Sequence, residues 1–175
     1  MKRISIVLVT ALALAAPAYG QMASPAGAVA TSKSLWQDLT GYITTAAEEL
    51  PESLYAYKPT PEVRSFGQLF AHVAGAQYMF CALALGEPNR AENAIETTAK
   101  TKAEIVAGLK ASTEYCNRAY AQTDAAAAAP AQIFGQDRTR LFALAQNATH
   151  NGEHYGNIVT YLRINGIVPP SSRGR

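Results

Sequence analysis

The chain has three histidines, and their types and spacing suit a metal site. His150 and His154 stand at i and i+4 in the run Ala148-Thr149-His150-Asn151-Gly152-Glu153-His154. On a helix their imidazoles leave one face about 40° apart, near enough to share one ion. His72 lies far upstream, on a different helical segment. Three neutral imidazoles and an open coordination position describe a divalent transition-metal centre able to hold a water or a substrate atom. The plainer alternatives are a core His72 paired with a backbone carbonyl and an exposed polar face around His150 and His154.

The elements that must position these rings are helical. The 175 residues are 49% hydrophobic and 16% charged, enough for one domain with its own core and too apolar for disorder. The small-residue stretch 21–31 reads as a flexible leader, 32–170 as the folded domain and 171–175 as a frayed, disordered tail. Within the domain four helical segments are expected and no convincing strand. The first, 32–50, carries Leu35, Leu39, Tyr42, Ile43, Ala46 and Leu50 at helical spacing before Pro51. The second, 65–85, opens on the capping box Ser65-Phe66-Gly67-Gln68 and stops at Gly86 and Pro88. A second capping box, Thr101-Lys102-Ala103-Glu104, opens the third, to about residue 122. Residues 124–130, alanine-rich and ending in proline, are expected to be irregular. The fourth helix covers 138–164, with Gly166 as its stop and Pro169-Pro170 beyond. Four such helices make an all-α four-helix bundle.

Helical bearings place the histidines. His72 shares its face with Leu69, Ala76, Met79 and Leu83, so it points inward. Around His150 the stripe contains Gln146, Asn147, Glu153, His154, Asn157 and Tyr161, with Glu153 its only charge. A solvated face collects Lys and Glu, so this stripe suits a polar pocket. The only histidine on an inward face and the only i, i+4 pair together argue for one shared site.

Residues 1–20 look like a secretory signal peptide: Met1-Lys2-Arg3, an apolar run from Ile4 to Ala16, and Ala18-Tyr19-Gly20 as a small-x-small cleavage pattern. The run is shorter than the roughly 20 residues that span a bilayer, so an anchor is the weaker reading. Cleavage takes the basic count from 15 to 13, equal to the 13 acids. A neutral mature chain without a basic cluster argues against nucleic acid and anionic membrane surfaces as partners. The expected location is periplasmic or secreted, a small molecule is the partner such a centre would take, and a homodimer is left open.

Two stretches resemble a known family. The segment from Leu50-Pro51-Glu52-Ser53-Leu54-Tyr55 through Ser65-Phe66-Gly67-Gln68-Leu69-Phe70-Ala71-His72 is similar to the first half of a DinB-like (DinB/YfiT) domain. The segment from His150-Asn151-Gly152-Glu153-His154 to Val168-Pro169-Pro170 resembles its closing helix. The resemblance implies a four-helix bundle in up-down-down-up order and a Zn or Ni ion on the residues that match its ligands, His72, His150 and His154. It also implies thiol-dependent S-transferases and isomerases among the relatives, in which a metal produces a thiolate. Low-molecular-weight thiols are cytosolic, so export argues against that chemistry here. Metal-dependent hydrolysis needs no thiol, and Glu153 is the candidate to orient a water or accept its proton, or else to tune a ligand from outside. The other function class is a non-catalytic metal-binding or interaction module of the cell envelope. A fourth protein ligand would favour it, with Asn147, Glu153 and Asn157 the residues to inspect.

Cys81 lies about 180° around its helix from His72, so it cannot join the same ion. If the second and third helices run parallel, as the resemblance implies, Cys81 and Cys116 are nearly level. An antiparallel pair would be offset by roughly 15 Å. A Cys81–Cys116 disulfide and two free buried thiols are the alternatives.

Overall fold

Two capping boxes set where two of the core helices begin. The Ser65 N–H donates to Gln68 Oε1 at 2.9 Å and the Gln68 N–H to Ser65 Oγ at 3.3 Å, opening α2 (Phe66–Leu85). Thr101 and Glu104 exchange the same pair of bonds at 3.0 and 3.2 Å at the head of the helix Lys102–Ala119. The computed structural model describes residues 27–174, and the expected signal peptide lies outside them. The other long helices are α1 (Ala28–Glu49) and Arg140–Ile164, and two short ones, α3 (Ala94–Thr98) and α5 (Asp124–Ala127), lie in the connections. In chain order Lys102–Ala119 is α4 and Arg140–Ile164 is α6. Gly86 and Gly166 end α2 and α6 at φ 72° and 71°, a conformation that costs glycine little.

The order of contacts gives the helix directions. Gln77 meets Ser112 and Cys81 meets Cys116, so α2 and α4 run the same way. Phe66 meets Tyr161, His72 meets His154 and Cys81 meets Asn147, so α6 runs against α2. Of the two alternatives for the cysteines the structure has the disulfide: Cys81 and Cys116 are bridged across Cα atoms 5.3 Å apart, fully buried. α2 is apolar and long enough to cross a membrane, but 78% of its most apolar window is buried among the other helices.

Four expectations need correction, the absence of strand among them, since a two-stranded hairpin forms. The leader does not extend to residue 31, because α1 starts at Ala28. Gly27 has no side chain to cap it, and the Asp124 carboxylate accepts from the N–H groups of Ala28 and Val29 at 3.1 and 2.9 Å instead. Such a cap, supplied from across the fold, is invisible to a local reading. Residues 124–130 are not wholly irregular, since α5 forms one turn capped by Thr123. A hairpin follows, β1 (Pro130–Ile133) against β2 (Gln136–Thr139), with Pro130 opposite Thr139. Its two-residue turn has Phe134 and Gly135 at φ 52° and 73°, the pattern of a type I′ turn. Phenylalanine is a poor residue for that conformation, so the usual Asn-Gly signal is missing. The tail is also not frayed through Arg173. The Tyr155 hydroxyl accepts from the Ser171 N–H at 3.0 Å, and Arg173 pairs with Glu49 and donates to the Val168 carbonyl.

Candidate metal centre

Buried polar bonds hold the histidine-bearing helices at one height. The Trp36 indole N–H of α1 donates to Gln77 Oε1 on α2 at 2.7 Å, and Gln77 Nε2 donates to Ser112 Oγ on α4 at 3.0 Å. On α6 the Asn151 amide, next to His150, donates to Thr40 Oγ1 of α1 at 3.0 Å. Each bond replaces water that these groups cannot reach, so sliding a helix would orphan several of them.

Against that frame the three rings converge. His72 of α2 and His154 of α6 are 6% and 8% exposed, and His150 lies between them. His150 Nε2 is 3.2 Å from His72 Nε2 and 3.0 Å from His154 Nε2. Three ligand nitrogens at about 2.0–2.1 Å from one ion stand roughly 3.3 Å apart, close to these separations. All three residues predicted as ligands are therefore in one place.

The rings are neutral. Burial, then the Arg64 charge and His154, pushes the His72 pKa down to about 4. Burial, then His154 and His72, takes His150 down to about 3. His154 is lowered too, mainly by burial. All three Nδ1 atoms are buried without a hydrogen-bond partner. A neutral ring has one N–H. With that proton on Nδ1, three Nε2 lone pairs face one another, and a cation between them resolves the repulsion. The donor set therefore fits a divalent transition metal.

Sequence reasoning missed two carboxylates. Glu96 of α3 places Oε2 3.7 Å from His72 Nδ1, and its own carboxylate is held by Arg64 Nε at 3.2 and 3.3 Å. It stands where an orienting carboxylate behind a ligand histidine belongs. Glu92, in the segment between α2 and α3, places Oε1 3.7 Å from His72 Nε2 and 3.8 Å from His150 Nε2. No local pattern marks either residue; both reach the rings only because the segment folds back over α2. The stripe around His150 divides. Asn147 and Tyr161 are buried, Glu153 and Asn157 are exposed, and Glu153 influences His154 only as a nearby charge. Asn147 points its amide at the disulfide sulfurs, 3.6 and 3.9 Å away, and at the Tyr120 hydroxyl. Among the described residues the convergent His, Cys, Asp and Glu ligands are His72, His150 and His154, without Glu153. Phe80, 5.5 Å from the His150 ring, and Phe134 at the hairpin tip, 6.0 Å from Phe80, wall the site on its apolar side.

The sequence profile of the DinB superfamily matches residues 35–158, and the chain belongs to that superfamily. Among solved structures it is similar to a DinB-like protein from Bacillus cereus, at 16% identity and a TM-score of 0.69 over 79% of this chain and 93% of the other. It is similar to a DinB-like protein from Bacillus subtilis at 20% identity and a TM-score of 0.65, over 83% and 99%. It is also similar to the mycothiol-dependent maleylpyruvate isomerase at 14% identity and a TM-score of 0.62, covering 75% of this chain and 59% of that one. These likenesses establish the all-α DinB-like fold. No curated protein matches the chain.

Proposed function

We propose that the chain is an exported protein whose His72, His150 and His154 hold one divalent transition metal, Zn or Ni, for metal-dependent hydrolysis of a small molecule. The carrying observation is the meeting of three histidine Nε2 atoms from two helices, in steps of 3.0–3.2 Å, with His72 and His154 buried and His150 half-buried. An ion there supplies a Lewis acid. The protein's part is to keep the imidazoles unprotonated by burial, to orient His72 through the Arg64–Glu96 pair, and to wall one side of the site with Phe80. The Cys81–Cys116 bridge supports an oxidising compartment and so export, which disfavours a cytosolic thiol as co-substrate. The bridge occupies both cysteines, so no thiol of this chain serves as nucleophile. A second reading, a non-catalytic metal-binding module of the cell envelope, is favoured by the carboxylate of Glu92 standing beside the rings.

Metal analysis of natively purified protein beside the His150→Ala variant tests the centre. One ion per wild-type chain and loss of it in the variant are expected. Equal metal content in the two would overturn the site.

A further inference from the structure

The segment between α2 and α3 is built to aim one carboxylate at the histidines. Its first half is anchored to α4: the Tyr115 hydroxyl donates to Glu87 Oε2 at 2.5 Å and Arg118 to Glu87 Oε1 at 2.7 Å. Arg90 then lies between two rings, its Cζ 4.4 Å from the Tyr115 centroid and 5.1 Å from that of Tyr78, a cation–π clamp. Two residues later the backbone drops onto α2. Gly75, one turn after His72, is the contact point, and a Cβ there would collide with the Glu92 carbonyl. A glycine in the middle of a helix costs about 1 kcal/mol relative to alanine, so this notch has a packing reason. The notch seats Glu92 with Oε1 3.7 and 3.8 Å from two of the three ring nitrogens that the metal would use, those of His72 and His150. That places a carboxylate oxygen on the side of the rings where two ligand nitrogens already converge.

We propose that Glu92 is a fourth protein donor to the metal held by His72, His150 and His154. This rests on the three-histidine reading of the preceding section and, with four protein donors, sides with the non-catalytic metal-binding alternative given there. Glu92 is the donor that faces solvent: its side chain is 43% exposed, whereas those of His72 and His150 are 7% and 11% exposed. It is therefore the group that an incoming small molecule meets first.

The test compares the wild-type chain, Glu92→Gln and His150→Ala in two measurements, the Zn(II) dissociation constant by chelator competition and the visible spectrum of the Co(II) form. Expected are one ion in the wild type, at least about tenfold weaker Zn(II) binding in Glu92→Gln, and a changed Co(II) spectrum in that variant. Unchanged Zn(II) affinity in Glu92→Gln overturns the proposal. So does weaker binding with an identical Co(II) spectrum, since the carboxylate would then act from outside the coordination sphere. A wild-type chain that binds no ion refutes the three-histidine site itself, and the Glu92 assignment with it. Metal-free Glu92→Gln is expected to melt with the wild type, which separates lost ligation from misfolding.

Discussion

Replacing Cys81 and Cys116 together by alanine cuts the covalent link between α2 and α4, and the loss can be sized from the chain it closes. The bridge spans a separation of 35 residues. Cross-linking a loop of that length removes conformational freedom from the unfolded chain worth about 4 kcal/mol at 25 °C. For a domain of this size each kcal/mol moves the melting temperature by about 2–4 °C, so a drop of about 8–16 °C is expected. Alanine is the right replacement because both sulfurs are fully buried beside Trp36, Leu144 and Ala148, where a serine hydroxyl would need a partner. Asn147 Nδ2, released from the sulfurs, keeps the Tyr120 hydroxyl at 3.3 Å, so the donor is not orphaned. Thermal unfolding followed by circular dichroism, at fixed pH and protein concentration, gives the answer. A drop smaller than about 3 °C would refute the cross-link reasoning. Two free thiols in non-reducing mass spectrometry of the wild-type chain would refute the bridge itself.

Asp124→Ala removes the cap of α1 and is expected to cost about 1 kcal/mol, seen as a melting point about 2–4 °C lower; an unchanged melting point would show that Ala28 and Val29 find water instead. The metal-free protein is expected to lose stability in acid. His72 and His150 have folded pKa values of about 4 and about 3 against an ordinary 6.5, so below pH 6.5 the unfolded chain binds protons that the fold refuses. Stability is full above that pH and falls as pH drops towards the folded values. His150→Ala should flatten the fall in melting temperature between pH 7 and pH 4.5, and a variant as pH-sensitive as the wild type would refute the burial of neutral rings.

Much of this architecture was legible because it follows from short-range rules. Ser65 and Thr101 with their partners three residues on, the stops at Gly86 and Gly166, and the inward bearing of His72 each depend on a few neighbouring residues. The i, i+4 pair needed only helical geometry, and the resemblance to the family supplied the parallel helices that level Cys81 with Cys116. What escaped was of longer range. Residues 28–31 become helical because Asp124 arrives from the far end of the chain to satisfy their N–H groups. The hairpin turn places Phe134 in a conformation that its residue type disfavours, so composition argued against it.

The same division runs through the site. Residue type and periodicity were enough to choose the three histidines, because a lone pair on an inward helical face is a local property. Which carboxylate joins them was not local. Glu153 lies beside His154 in sequence yet stays exposed, while Glu92 and Glu96 reach the rings through a segment that Gly75, Tyr115 and Arg64 hold in place. The physical reason is range: capping and helical bearing act within about a turn, whereas the approach of Glu92 to His72 and His150 depends on contacts between residues far apart in the chain, which exist only once the helices have packed.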